Sequence, residues 1–158
     1  MSAPGHPMRR RDRELSEAEA LEILAKSEFG VLATVGDDGW PYAVPVNHAL
    51  MDGALVIHCA MAGHKLDNLA ANARVSYCVV TQAEVLPEEL ATRYESAIAF
   101  GRAVRLEAEA ERRAALQAFG RRFAAQHPER VREEIEKDLF RTVVLRIDLE
   151  RVTGKARR

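Results

Sequence analysis

A two-residue period dominates the C-terminal part of the sequence. In residues 143–150 an apolar side chain stands at every second position, and charged side chains fill most of the positions between them. Side chains along a β-strand point alternately to the two faces of a sheet, so this period predicts a strand with one buried face. Such a strand needs neighbouring strands along its edges and a core against its apolar face.

Five further segments have the length and apolar pattern of strands. They are residues 29–35, 42–49, 54–59, 74–81 and 96–107. Asp37-Asp38-Gly39 and Met51-Asp52-Gly53 carry residues that favour hairpin turns. Gly101 lies inside the long fifth segment and predicts a bulge or bend there. Six strands with hairpin connections early in the chain favour an antiparallel barrel over a doubly wound parallel sheet.

Helices are predicted in three places. Ser16 and Glu19 form a capping-box pattern, which predicts a helix that continues to about Lys26. A second helix is predicted over 109–126, where Pro128 ends it. A short third helix is predicted from three apolar residues that share a helical face: Val131, Ile135 and Leu139.

Length and composition fit one domain that is mainly β with α additions. The chain has 158 residues, and 47% of them are apolar, which is enough to fill one core. Residues 1–13 hold prolines, a glycine and arginines without an apolar period, so we interpret them as a flexible N-terminal arm. The single domain is predicted over residues 14–158.

Charge and hydropathy exclude several classes of partner. The net charge is −1, whereas nucleic-acid binding domains concentrate basic residues. No apolar run approaches the roughly 20 residues of a membrane-spanning helix, and no secretory signal opens the chain. We therefore expect a cytoplasmic protein without nucleic-acid or membrane partners. Cys59 and Cys78 lie in apolar strand segments, which predicts two buried free thiols.

Pro45 lies in the middle of the second strand segment and removes one backbone hydrogen-bond donor from it. Proline has no backbone N–H, so it belongs on an edge strand or at a bulge. Backbone groups on an edge strand are not all used in pairing and can meet the polar rim of a flat heterocycle. Alone, the same residue also fits an ordinary edge strand that proline protects from further pairing.

Gly63-His64-Lys65 precedes a short helical stretch at 66–72. The start of a helix presents unpaired N–H groups, Lys65 adds a positive charge, and Gly63 allows a close approach. Together they fit a phosphate group. A capped surface helix with an incidental lysine is the alternative interpretation.

His58 precedes this turn, and its side chain points to the opposite face of the strand from that of its neighbour Cys59. Leu55, Ile57 and Cys59 share one face of the strand, so His58 lies on the other face, where it can line a cavity or groove. A hydrogen-bonded structural histidine is the alternative.

In this order, the segments resemble the nitroimidazole-resistance branch of the flavin-binding split-barrel superfamily, which is named after pyridoxamine 5′-phosphate oxidase. The resemblance spans nearly the whole chain. Its matching segments are residues 8–14, 38–47, 52–53, 57–60, 63–66, 94–103 and 152–155.

The resemblance implies a homodimer of six-stranded antiparallel split β-barrels, with FMN in a groove at the subunit interface. In similar proteins one strand contacts the isoalloxazine through its backbone, and the turn after the next strand holds the ribityl phosphate. The residues that match are Val44, Pro45, Val46 and Asn47 for the first, and His58, Cys59, Gly63, His64 and Lys65 for the second. His58 is also the candidate catalytic residue, as a proton donor close to cofactor or substrate.

Two departures separate the sequence from the oxidases proper. Val44 and His64 stand where those enzymes carry phosphate-binding arginines. The C-terminal substrate-binding segment of the oxidases has no counterpart after residue 155. We therefore do not expect the pyridoxamine phosphate oxidase reaction, and we expect weak FMN binding or a preference for another flavin or a nitroaromatic-like ligand.

The resemblance implies a flavin-dependent oxidoreductase that passes electrons from a nicotinamide donor to small electron-poor compounds such as nitroimidazoles or quinones. A non-catalytic flavin-binding or stress-related module is the first alternative. A haem-binding split barrel is the second, since His48, His58, Cys59 and His64 lie close in sequence. Their spacing fits no standard zinc pattern, so no metal site is expected.

Overall fold

Eight antiparallel strands form one sheet that curls into a half-open barrel. The computed structural model describes residues 5–158. The strands are β1 (Glu14–Leu15), β2 (Phe29–Val35), β3 (Pro41–Asn47), β4 (Ala49–Met51), β5 (Ala54–Cys59), β6 (Arg74–Leu86), β7 (Ala91–Arg105) and β8 (Val143–Arg157). Their order across the sheet is β3-β2-β6-β7-β8-β5-β4, and β1 pairs with β8. The six long strands are the six predicted ones, so the mainly β barrel is confirmed.

The ribbon formed by β6 and β7 is longer than the sequence pattern predicts. Its strands pair from Gln82 and Glu95 to Leu86 and Ala91, beyond the predicted limits at 81 and 96. Most side chains of this extension are exposed to solvent, as Val85 shows. A two-residue apolar period indicates a strand with one buried face. This ribbon buries little surface, so its sequence lacks that period.

A bulge in β8 explains why the clearest strand is also longer than predicted. Phe100 pairs with Arg151 and Gly101 with Leu149, so Glu150 is an extra residue in β8. The inward positions therefore change from odd to even numbers after Glu150, and the apolar period breaks although the strand continues. The bulge predicted at Gly101 thus lies in the partner strand instead, with Gly101 opposite it. Glycine is needed there because a Cβ would collide with the Asp148 carbonyl.

Helix α1 (Glu17–Lys26) closes the curve of the sheet. Ser16 caps it as predicted: its hydroxyl accepts the Glu19 N–H, and its own N–H donates to the Glu19 carboxylate at 3.0 Å. Its buried face packs on β6, β7 and β8, with Ala20 close to Gly154. The main core therefore lies between α1 and the sheet. Its largest buried side chains are Leu24, Leu32, Leu55, Ile57, Tyr77 and Ile147.

A second, smaller core lies on the outer side of β5 and β8. Helix α3 (Glu109–Phe123) covers Val56 and Val144 there with Ala115 and Phe119. It ends three residues before the predicted limit because the chain turns at 124–127, where the His127 N–H donates to the Ala124 carbonyl. Helix α4 (Pro128–Asp138) then begins with proline in its first turn, where a missing N–H costs nothing.

The N-terminal arm is described in part, and the two cysteines are less buried than the sequence predicts. Residues 1–4 of the predicted arm lie outside the described residues, and in the rest Arg151 donates to the His6 carbonyl at 3.1 Å. Cys59 and Cys78 are free thiols, but both are half-buried rather than buried. Within residues 5–158, no helix is both long and apolar enough to cross a bilayer.

Candidate functional site

Strand β3 lies at one end of the sheet and, within residues 5–158, pairs only with β2. Pro45 is therefore on an edge strand, as its missing N–H predicts. Val44 and Val46 turn their side chains toward the main core, whereas Pro45 and Asn47 are exposed. Any contact of Val44 or Val46 with a ligand would thus be through the backbone. The Asn47 amide is already used, because it donates to the Glu28 carbonyl at 2.9 Å.

Tyr77 anchors β3 from inside the barrel. Its hydroxyl lies 2.9 Å from the Val46 carbonyl oxygen and 2.9 Å from Nδ1 of His48. The ring fits because residue 30 is glycine: a Cβ there would be 2.6 Å from the Tyr77 ring. Burial raises the pKa of the Tyr77 phenol, while a hydrogen bond with the Gly30 backbone opposes this. The phenol therefore stays protonated and serves as a hydrogen-bond donor.

His48 connects this anchor to the end of α1. It is fully buried, and its Nε2 lies 2.8 Å from the Leu24 carbonyl oxygen. A carbonyl only accepts, so Nε2 carries the proton of the neutral ring, and the Val46 carbonyl and Nδ1 share the single hydrogen of the Tyr77 hydroxyl. Burial lowers the pKa of His48, the Leu24 carbonyl opposes this shift, and the nearby Arg122 charge adds to it. Arg122 itself donates to the Ala25 and Ser27 carbonyls.

Helix α2 (His64–Ala71) begins at the glycine that the sequence singles out. Gly63 is the N-cap at φ 144°, a conformation that favours glycine, and no side chain caps the helix. A Cβ at Gly63 would meet open space. The other end is held firmly, because buried Asn68 donates to the Thr34 hydroxyl at 3.0 Å. The helix thus presents its free N–H groups from a fixed position.

Tyr42 brings the edge strand and the helix start together. Its ring lies 4.1 Å from the His64 ring, measured between centroids, at an interplanar angle of 35°. Tyr42 belongs to β3 and His64 to α2, so this contact joins the two predicted halves of the site. The aromatic residue between the two edge-strand prolines, Pro41 and Pro45, is the signal from which the contact could have been inferred.

Cys59 lies on the same side as the helix start. Burial raises the pKa of its thiol, and the positive charges of Lys65 and Arg105 oppose this shift. Both cations therefore lie near the end of β5. The sequence pattern did not indicate Arg105, because it ends a strand far away in sequence and reaches the site only through the pairing of β7, β8 and β5.

His58 lies on the opposite face of β5 from Cys59, as strand alternation predicts. Its ring packs edge-on against Phe119 of α3, with centroids 4.6 Å apart. The side chain is exposed on one side, and partial desolvation of the ring lowers its pKa, which favours the neutral imidazole near pH 7. His58 also lines a cleft of about 510 Å³ between α3, α4 and the sheet. Its contacts differ from those of His64 and Lys65, although the three are close in sequence.

The four residues that motivate the haem and metal alternatives are separated in the same way. His48 is buried and bonded at both nitrogens, His58 packs on Phe119, and His64 packs on Tyr42. Across residues 5–158, no group of three His, Cys, Asp or Glu side chains is arranged to hold a metal ion.

A curled antiparallel sheet with an open edge strand, a helix across its curve and a glycine-led helix beside that edge defines a split β-barrel protein. The chain belongs to the pyridoxamine 5′-phosphate oxidase family, whose sequence model matches residues 16–156. No curated protein matches it. The predicted family resemblance is thereby confirmed.

Solved structures with the same fold come from several bacteria. A protein from Bacteroides thetaiotaomicron assigned to 5-nitroimidazole antibiotic resistance is 21% identical, with a TM-score of 0.74 over 90% of this chain and 85% of that one. The flavocytochrome Anf3 from Azotobacter vinelandii is 18% identical, with a TM-score of 0.83 over 97% and 73%. An FAD and heme binding protein from Mycobacterium smegmatis is 25% identical, with a TM-score of 0.75 over 91% and 73%.

Proposed function

We propose that the protein binds FMN and acts as a flavin-dependent oxidoreductase on small electron-poor compounds such as nitroimidazoles. The observation that carries the proposal is the uncapped start of α2 beside the open edge of β3, joined by the contact between Tyr42 and His64. A phosphate at the helix start and a flat ring along the edge strand would use both features at once.

The residues at the helix start fit a phosphate group. Gly63 leaves open space for its oxygens, and the first N–H groups of α2 have no side-chain cap. Lys65 and Arg105 supply positive charge near Cys59, and Arg105 also pairs with Glu107 at 3.4 Å. Charge-assisted hydrogen bonds of this kind are stronger than neutral ones. Arg105 thus offers a cation that Val44 and His64 do not provide.

The ring of the cofactor would lie along β3. Bound FMN supplies hydride and electron transfer, which no side chain of this site can perform. The chain's part is to position the ring through the backbone of 44–47 and to hold that backbone still. Tyr77 does the second, since its hydrogen bond to the Val46 carbonyl fixes the edge strand from inside. The pyridoxamine-oxidase reaction itself is not part of the proposal.

His58 remains the proposed catalytic residue, but its ring lies on the face of β5 opposite Lys65, so it would act only on a flavin that the partner subunit brings to that face. Its lowered pKa makes the imidazolium scarce at neutral pH, so His58 would donate a hydrogen bond from a neutral ring. Replacing it by Gln keeps a donor of similar size. We expect His58→Gln to retain FMN and to lower turnover. Unchanged turnover would remove His58 from the mechanism.

We also propose that the protein is a homodimer, with the flavin site at the subunit interface. The outer face of the barrel carries a row of mostly apolar side chains across five strands: Pro45, Val31, Cys78, Ile98 and Thr153. Phe29 and Val80 are also exposed near this row, at 60% and 55%. Exposed apolar patches of this kind mark interfaces, and this one includes the edge strand of the proposed site.

The dimer is tested by light scattering on the purified chain. We expect the mass of two chains for the wild type and of one chain for Val31→Asp/Ile98→Asp. Phe140→Asp is the control, because Phe140 is 75% exposed and lies after α4, away from this face. A monomeric wild type, or dissociation by the control alone, would contradict the proposal.

The cofactor is tested by titrating the apoprotein with FMN and recording the visible spectrum. We expect saturable binding that Lys65→Ala weakens by about tenfold, the effect of losing one charge-assisted contact. Lys137→Ala is the control, since Lys137 lies on α4 beside Glu134. If the protein does not bind FMN but gives a Soret band when haem is added, the haem-binding alternative is established instead.

Turnover separates the enzyme from a non-catalytic flavin module. The holoprotein is mixed with NADH or NADPH and a nitroimidazole, and the nicotinamide absorbance is followed. Oxidation that requires both FMN and the nitro compound supports the enzyme. Bound FMN without any oxidation would leave a flavin-binding module.

A further inference from the structure

We propose that the cleft between α3, α4 and β5 is a second small-molecule site, which binds a small planar aromatic anion. It lies on the face of β5 that carries His58, whereas Cys59, on the other face, lies near Lys65. The inference does not depend on the flavin proposal. Four observations support it: the size of the cleft, its aromatic wall, an unpaired arginine in its lining and an unsatisfied buried donor behind it.

The cleft has the size and lining of a ligand site. Its volume is about 510 Å³, within the range of roughly 300–1,000 Å³ that is usual for small-molecule sites. Most of its wall is apolar, from residues such as Leu116, Val131 and Ile135. Gly120 lets α3 and α4 approach closely beside it, because a Cβ there would collide with Val131.

One wall of the cleft is aromatic. The rings of His58 and Phe119 meet edge to face at 85°, with centroids 4.6 Å apart. A flat aromatic ring can stack on or pack against such a pair. Since His58 is neutral near pH 7, one of its nitrogens also carries an N–H that can donate to a polar substituent.

Of the charged side chains that line the cleft, only Arg130 has no ion-pair partner among residues 5–158. Glu134 and Asp138 line it, but Glu134 is paired with Lys137 at 3.7 Å and Asp138 with Arg141 at 2.6 Å. Arg130 lines it as well, and no carboxylate among residues 5–158 lies within ion-pair distance of it. A ligand that enters the cleft therefore meets an uncompensated guanidinium.

A second arginine stands behind the wall. Arg112 donates to the carbonyl oxygens of Leu139 and Thr142, two residues that line the cleft. Its Nε is buried without a hydrogen-bond partner in the described part of the chain, and no carboxylate there pairs with it. Arg130 in the lining favours an anionic ligand, Arg112 adds positive charge behind it, and the aromatic wall favours a planar ligand.

The test uses 4-nitrobenzoate as the probe and the chain without added FMN. Binding is followed by amide chemical-shift changes in labelled protein, and 4-nitrobenzamide serves as the neutral analogue of the same shape. We expect shifts in residues 116–142 and near His58, and at least about threefold weaker binding of the amide. Arg130→Gln should remove this preference for the anion.

Arg132→Gln is the matched control, because Arg132 lies on the same helix, is paired with Glu129 and does not line the cleft. Equal affinity for acid and amide, an unchanged Arg130→Gln variant, or shifts confined to β3 and α2 would each overturn the proposal. Titrating FMN into the probe complex then separates the two sites. Probe binding that persists while FMN fails to bind would sink the flavin proposal alone, and displacement of the probe by FMN would show that the second site is not separate.

Discussion

Two polar regions of the barrel lie at opposite ends of β3 and differ in one respect. Around His48 and Tyr77, every ring nitrogen and hydroxyl is buried and hydrogen-bonded. Around Gly63 and Lys65, the helix start is exposed and its N–H groups have no cap. Saturated polar groups in a closed region stabilise a fold, whereas unsaturated groups in an open region are available to a ligand. We therefore expect mutations to act on stability in the first region and on binding in the second.

The largest effect on stability is expected at Gly30, in the closed region. A methyl group there would lie 2.6 Å from the Tyr77 ring and 2.7 Å from the Cys78 carbonyl oxygen. The backbone oxygen cannot move aside, so Gly30→Ala should lower the free energy of unfolding by about 2 to 3 kcal/mol, as overpacked cores do. Urea unfolding measures this, with Gly5→Ala as the control, because a Cβ at Gly5 meets nothing within 4 Å. Equal stability of the two variants would contradict the close packing.

A smaller loss is expected when the buried imidazole is replaced. His48→Gln cannot bridge the Leu24 carbonyl and the Tyr77 hydroxyl as the ring does, so one buried group loses its partner. The free energy of unfolding should fall by about 1 to 2 kcal/mol. His127→Gln, on the exposed turn before α4, should change it by less than about 0.5 kcal/mol. A harmless His48→Gln would show that water or the amide satisfies both groups.

The same histidine predicts how stability depends on pH. Burial holds the pKa of His48 below the ordinary value of 6.5. The unfolded chain therefore binds more protons than the folded chain just below that pH, and stability falls as the pH drops through this range. Unfolding is compared at about pH 7.5 and about pH 5, above the range where the carboxylates dominate. His48→Gln should show a shallower decrease than the wild type, and an equal slope would assign the effect elsewhere.

The difference between the two regions also explains what the sequence could predict. The six long strands follow from side-chain alternation, and Pro45 follows from its missing N–H. The bulge at Glu150 hid the end of β8, because it moves the inward positions from odd to even numbers. At the site, Gly63 and Lys65 were predictable from local chain properties. Arg105 was not, since only strand pairing brings it near Cys59.

The surroundings of His58 were also not predictable from the local sequence. Strand alternation places it opposite Cys59, but nothing local indicates which elements cover each face. Helices α3 and α4, to which the sequence assigns no chemistry, supply the cleft that His58 lines. Closeness in sequence between His58 and Lys65 therefore does not translate into one shared pocket within the chain.

The smallest effect on stability is expected in the open region, at the residue with the largest proposed role in binding. Lys65 is half-buried and forms no ion pair within residues 5–158, so Lys65→Ala removes charge without leaving a buried partner unsatisfied. The free energy of unfolding should change by less than about 0.5 kcal/mol, as for other surface substitutions. The same variant should bind FMN about tenfold more weakly. Urea unfolding and an FMN titration on one preparation measure both quantities. If Lys65→Ala instead lost stability but kept its affinity for FMN, the distinction between the two regions would be reversed. The helix start would then be a structural element, and the phosphate would have lost its proposed cation.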